Sequence, residues 1–297
     1  MNINPQPHKE LTSFGYGFLG ILIFSITLPA TRIAISGGFD PVFVGLGRAI
    51  VAAGLSLILL LVTRQNIPPL RFLPNFAIVT AGVVIGFPLL SAIAMKDAAA
   101  SHGAVITGLL PLSTALCGAW RGGERPSPGF WLFACLGSAL VIIFALITGG
   151  GSIRLTDLAL LGAVGSAALG YAEGAILSRT FGSWQVICWS LILSVPVLLP
   201  IVLQHLPANF AAISVNAVLA FLYVSIFSMF LGFFAWYRGL ALGGIARIGQ
   251  LQLIQPFLTI FASVILLGEH LSIETIGFAT AVISCVVFGK RTQVIVK

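Results

Sequence analysis

The sequence predicts an all-α integral membrane protein of ten transmembrane helices, arranged as two inverted five-helix repeats. Three observations carry this: the hydropathy, the count of apolar runs and a motif that occurs twice. Hydrophobic residues make up 58% of the 297 positions and charged residues 8%, where a soluble domain carries about 25% charge. Mean hydropathy is +1.09. The motif is a proline followed thirteen residues later by Gly-Glu: Pro111 with Gly123-Glu124, and Pro256 with Gly268-Glu269. The copies are 145 residues apart, close to half the chain, and Thr114 and Ser127 map at that offset onto Thr259 and Ser272. Duplication at such a period is the mark of a two-half transporter or repeat architecture.

A spanning helix needs about 20 mostly apolar residues. Ten runs meet this, at approximately 14–36, 41–63, 72–94, 98–121, 128–148, 157–179, 183–204, 214–237, 243–267 and 273–290. The first is too long for the apolar part of a signal peptide and lacks a small-residue cleavage site. Turn residues punctuate the short connections: Gly37-Gly38 with Pro41, Pro68-Pro69, Gly122-Gly123 with Pro126, and Gly149-Gly150-Gly151 at the midpoint. The last divides the chain into repeats 1–150 and 151–297. The runs are continuous rather than alternating, which excludes barrel strands and leaves helices, the other fold that pairs its own backbone in hydrocarbon.

The basic residues set the expected orientation. With both termini cytoplasmic, Lys9, Arg64, Arg71, Arg121, Arg125, Arg179, Arg238, Arg247, Lys290, Arg291 and Lys297 fall at inner ends. Only Arg32, Lys96 and Arg154 fall at outer ends, and Arg48 lies within run two. This is a positive-inside distribution. Trp120, Trp131, Trp184 and Trp236 lie near inner ends and read as interfacial anchors. Five runs per half is odd, so the halves enter the bilayer from opposite sides. The net charge of +7 is dispersed singly over run ends, which fits orientation rather than nucleic acid. The four cysteines lie in apolar runs with no CxxC pair and read as small buried hydrophobes.

The paired Pro-to-Gly-Glu spacing inside ten runs resembles the EamA type of the drug/metabolite transporter (DMT) superfamily. Gly108-Leu109-Leu110-Pro111-Leu112 and Leu253-Ile254-Gln255-Pro256-Phe257 carry the two copies, Trp236-Tyr237-Arg238-Gly239-Leu240 resembles the stretch leading to the second, and Arg48 matches an early arginine of the family. The resemblance covers essentially the whole chain. It implies a central cavity lined mainly by runs one, three, four, six, eight and nine, and it is nearest to bacterial exporters of amino acids, aromatic ones especially. The implied location is a bacterial inner membrane.

Candidate site residues follow from helical spacing. Thr107, Pro111 and Thr114 share a face of run four, and the offset maps them onto Gln252, Pro256 and Thr259 of run nine. Each proline frees the carbonyl four residues earlier, tolerable at membrane depth where it lines a cavity. These faces are expected to look across a substrate cavity with Gln255 orienting the ligand; the competing reading is interhelical hydrogen bonding and simple kinks. Glu173 is the one acid well inside a run and a candidate for proton coupling, against a structural pairing with an arginine such as Arg179. His102 is a candidate for titration or for binding a substrate carboxylate, against an interfacial hydrogen bond. Arg48 sits roughly 10 Å along run two; it reads foremost as paired with backbone carbonyls or another helix, with attraction of an anionic group as the alternative. Ser25, Thr27, Ser91, Tyr171, Trp236 and Tyr237 are further cavity candidates, and Pro29 and Pro88 join Pro111 and Pro256 as hinge or kink positions. Glu124 and Glu269 are expected to cap the helices that follow them, with Ser127 and Ser272 as side-chain caps.

The leading expectation is a secondary transporter of amino acids or related small metabolites, exporting by alternating access, with proton coupling or passive facilitation both open. No Walker motif is present, and no cofactor, metal or nucleic-acid partner is expected; the partners are a small-molecule substrate and the bilayer, with monomer and homodimer both open. Alternatives are export or facilitation of other metabolites or drugs, an intramembrane enzyme, which lacks its Ser/His or paired-acid machinery, or a channel, which lacks a filter-like repeat.

Overall fold

The computed structural model describes residues 7–122, 125–148, 153–270, 272–291 and 294–295. Among them, eight helical runs are long and apolar enough to cross a membrane, and two shorter apolar helices, Gln255–Leu267 and Ile273–Cys285, correspond to runs nine and ten. The described residues are otherwise joined by short links and one two-residue antiparallel pairing, Arg125–Pro126 with Val294–Ile295. The glycine-rich midpoint and Glu124 lie outside the described residues.

Helix starts follow local chemistry. Asp40 caps Pro41–Val62 by accepting from Val42 N at 2.8 Å and Phe43 N at 3.2 Å, with Pro41 in the first turn where its missing N–H costs nothing. Ser214 and Ser272 cap their helices by accepting from Ala217 N and Thr275 N, each at 3.2 Å. Runs six and seven, and runs eight and nine, are joined through single glycines, Gly182 at φ 92° and Gly244 at φ 88°. A side chain there would be strained, so these two tight reversals require glycine.

Several runs are interrupted near their middles. Run one breaks at Ile26 between Pro7–Ser25 and Thr27–Ser36. Runs three and eight contain π-helical turns, Thr80–Gly86 and Tyr223–Leu231. Runs four and nine break before Leu110–Gly122 and Gln255–Leu267. Those two helices are 13 residues each and start 145 residues apart, so the duplicated motif is a duplicated structure. The expected kink at Pro111 and Pro256 is instead an interruption: each proline is the second residue of a resumed helix, as is Pro88 in Phe87–Asp97, and Pro29 is the third in Thr27–Ser36. A proline in a first turn loses no helical hydrogen bond. In run four the Gly108 N–H reaches both Ala104 O and Val105 O, at 3.1 and 3.0 Å, and the chain turns before resuming.

Packing repeats the duplication. Run one packs along run eight as run six packs along run three, while run four packs against run nine, run two against run seven and run five against run ten. Runs four and nine are antiparallel: the turn after run nine meets Ala100 at the start of run four, and Thr114, further along run four, meets Gln252, early in run nine. Two readings of single residues change. Trp236 is fully buried rather than interfacial, unlike Trp120 at 75% exposure, and Cys135 is exposed while Cys188 is buried.

Candidate functional site: a central cavity at the helix breaks

The interruptions converge. Thr27, one residue past the break in run one, accompanies Val83 from the π-turn of run three, Ser228 and Met229 from the π-turn of run eight, and Gln255 at the resumed helix of run nine. Phe24, Arg48, Phe87, Pro88, Tyr171 and Phe233 complete the lining of a cavity of about 20 Å³. That is room for a water-sized group, so the site stands nearly closed. Irregular backbone at membrane depth is tolerated where it lines a cavity, and π-turns recur at functional sites.

One wall is aromatic. Phe24 lies 5.1 Å from Phe233 and 6.4 Å, stacked, from Tyr171. Trp236 stands edge-on behind Tyr171 at 5.6 Å, and Tyr237 lies 5.2 Å from Phe233. The Tyr237 hydroxyl donates to Gly170 O at 3.1 Å. Its ring occupies the space a Cβ on Gly174 would need, 2.2 Å from Tyr237 Cζ, so the missing side chain of Gly174 seats it.

The other wall is polar. Thr27 Oγ1 and Ser228 Oγ bond at 2.8 Å and tie runs one and eight. Arg48 is 1% exposed; its Nε donates to Gly45 O at 3.3 Å, and its Nη2 has no protein partner. Gln255 is buried too, and its Oε1 is also unpartnered. Gly45 brings run two against run three, since a Cβ there would lie 2.9 Å from Leu89 Cα and 3.0 Å from Pro88 O. That contact fixes Arg48 one turn along.

Ion pairs lie at the two ends of run four. At one end, the buried Glu173 accepts from Arg121 Nε at 2.8 Å and from Nη2 at 2.7 Å, and from Asn75 Nδ2. This joins runs three, four and six, and the arginine is Arg121 rather than Arg179. At the other end, Glu269 accepts from Ala100 N at 2.8 Å and Ser101 N at 3.0 Å, with Arg32 Nε at 4.0 Å. Glu269 therefore caps run four of the other repeat rather than the helix after it. Arg32 also donates to the carbonyls of Met95 and Ala98. His102 meets Asp157 at 2.6 Å and stacks on Phe144 at 4.9 Å, so the carboxylate beside it belongs to the protein.

Of the residues singled out by sequence, Tyr171, Gln255, Thr27 and Pro88 line the cavity. Trp236 and Tyr237 back its aromatic wall. Thr114 donates to Gln252 Oε1 at 3.4 Å in the contact between runs four and nine, Thr107 bonds back to Ala104 O, and Thr259 accepts from Ser263 through its carbonyl. None of these is among the lining residues, nor is any other residue of run four, whereas run two contributes Arg48. Sequence reasoning favoured carbonyl pairing for Arg48, of which the structure shows the Gly45 bond, with an anionic group as the alternative, and it passed over Phe24, Phe233 and Ser228. A lone arginine inside an apolar run was the available signal for the first; the phenylalanines look the same in sequence as lipid-facing ones.

An all-helical membrane protein of two matching halves, with a polar and aromatic cavity at its helix breaks, is a membrane transporter of small substrates. The chain belongs to the EamA-like transporter family, whose model matches residues 12–147 and again 154–289. It is 50% identical over 284 residues to the uncharacterized transporter YdeK of Bacillus subtilis (strain 168), covering 96% of this chain and 99% of that one. A solved crystal structure of a protein 18% identical shares the fold, with a TM-score of 0.66 over 92% of this chain and 95% of the other.

Proposed function

We propose that the protein is a secondary transporter that exports amino acids, aromatic and apolar ones preferentially, by alternating access. The observation that carries this is the cavity where interrupted helices meet beneath an aromatic wall. Discontinuous helices at midplane are how such carriers build substrate sites, and Phe24, Tyr171 and Phe233 suit an aromatic or apolar side chain. Ten spans in two inverted repeats, 1–150 and 151–297, set in a bacterial inner membrane with both termini cytoplasmic, accord with the antiparallel packing of runs four and nine and with the placement of basic residues. The Arg121–Glu173 and Arg32–Glu269 clusters are then inner and outer closures, and transport opens one at a time.

The test is countertransport. Proteoliposomes of the purified protein, loaded with unlabelled phenylalanine, are expected to accumulate labelled phenylalanine, tyrosine and leucine faster than empty liposomes. Equal rates for every amino acid, with exchange of another metabolite class instead, would move the protein out of amino-acid export.

A further inference from the structure

The three ion pairs among the described residues account for Glu173, Asp157 and Glu269, and none involves Arg48. A fully buried guanidinium with a free N–H is costly unless something neutralises it. Its one protein bond is a long one to a carbonyl of its own helix. Its neighbours in the cavity wall are neutral: Gln255, whose Oε1 is itself unpartnered, the Thr27–Ser228 hydroxyl pair, and the aromatic rings. The Gly45 contact fixes this charge in place, and no acid among the described residues pairs with it.

We propose that Arg48 is the carboxylate anchor of the substrate site, binding the carboxylate of a small ligand whose apolar body lies against Phe24, Tyr171 and Phe233. Guanidinium and carboxylate match as a two-point fork, which gives orientation as well as attraction. Gln255 presents its unpartnered Oε1 beside the site, an acceptor suited to an N–H or hydroxyl of the same ligand. The ligand class is thereby a monocarboxylate with an aromatic or aliphatic body, and amines or neutral drugs without a carboxylate are disfavoured. Admitting it requires the walls to part, because the present space fits only a water-sized group. The break at Ile26 and the π-turns of runs three and eight are the segments that can yield.

This rests on the cavity being the substrate site, and the probe is chosen so that it does not also rest on amino-acid transport. Thermal unfolding of the purified full chain is measured with phenylacetate, with its neutral amide phenylacetamide and with chloride, for the wild type, Arg48→Met and Arg48→Lys. Phenylacetate alone is expected to raise the wild-type Tm. Arg48→Met is expected to unfold without ligand at the wild-type temperature or above, since it removes an unpaired buried charge, and to lose the phenylacetate shift. Arg48→Lys is expected to bind phenylacetate about tenfold more weakly. An equal shift from phenylacetamide or chloride, or a phenylacetate shift that survives in Arg48→Met, overturns the assignment. Should Arg48→Met not fold, an unchanged phenylacetate affinity in Arg48→Lys overturns it. A protein that exchanges no amino acid yet binds phenylacetate through Arg48 loses the export reading and keeps this one.

Discussion

Two of the buried charges among the described residues, Glu173 and Arg48, are treated in opposite ways. Glu173 accepts from Nε and Nη2 of Arg121 on one carboxylate oxygen and from the Asn75 amide on the other. Arg48 meets one carbonyl of its own helix, and its Nη2 meets nothing from the protein. Both lie in the protein interior within apolar runs, so the energetic demand is alike. The difference lies in what each is for. A satisfied buried pair ties helices together and specifies one arrangement of them. An unsatisfied one stores a demand that a ligand can meet, and on our proposal the cavity at Arg48, with its walls parted, is where that ligand binds.

The comparison is broken most severely by orphaning the paired charge. Arg121→Met leaves Glu173 buried with only Asn75 beside it, and removing one partner of a buried pair costs about 3–5 kcal/mol. Thermal or denaturant unfolding in detergent is expected to show that loss, whereas Arg48→Met shows none. If the two variants were equally destabilised, Arg48 would be a structural charge and the contrast would vanish. Glu173→Gln sharpens the same point through kinetics. A lock predicts slower exchange with an unaltered pH profile; a profile flattened by the substitution would make Glu173 a proton carrier.

The next largest effect comes from turning the unpaired charge into a paired one. Gln255→Glu places a carboxylate in the Arg48 cavity. The apo protein is expected to become more stable, and carboxylate ligands to bind about ten- to a hundredfold more weakly, the range for one charged hydrogen-bonded contact. Titration of phenylacetate by Tm shift measures both at once. Undiminished binding would place the ligand's carboxylate elsewhere.

Gly45→Ala tests the positioning rather than the charge. The added Cβ would fall 2.9 Å from Leu89 Cα and 3.0 Å from Pro88 O, both backbone, so run two must move off run three. Overpacking of this kind costs about 1–3 kcal/mol. Displacing Arg48 is expected to weaken carboxylate binding while exchange of any ligand lacking a carboxylate is slowed less. Equal slowing of both would make Gly45 a packing residue only.

The sequence made the large features legible and the small ones not, for a physical reason. Membrane residence and the duplication are written in composition and in the Pro111 and Pro256 spacing, because each needs many residues or an exact register. Tyr171 and Gln255 were reachable as polar or aromatic residues in apolar runs. The π-turns at Thr80–Gly86 and Tyr223–Leu231 carry no proline of their own and left no mark in the hydropathy. The pairing of Glu173 with Arg121 joins residues 52 apart, and helix periodicity says nothing about which helices meet. Arg48 was visible as an arginine but not as an unpartnered one, since partnership is a property of the packed bundle. Pro111 shows the limit most plainly: its spacing marked the repeat, yet its helix contributes nothing to the cavity lining.

The smallest expected effect lies at the far closure, where the same logic is diluted by solvent. Glu269 is 14% exposed and Arg32 27%, their closest approach is 4.0 Å, and the firmer bonds run from Glu269 to the N–H groups of Ala100 and Ser101. Glu269→Gln keeps one acceptor and loses the charge at a helix N-terminus, an interaction worth about 0.3–1 kcal/mol. Stability should hardly change. The exchange rate is the sensitive readout, because a closure that opens in every cycle affects rate through its own small energy: weakening it should populate the state open on that side and shift exchange by about two- to fivefold. Crosslinking a cysteine pair at positions 32 and 269 should then stop exchange. Continued exchange in the crosslinked protein would mean that this end does not open, leaving the Arg121–Glu173 end as the sole moving closure.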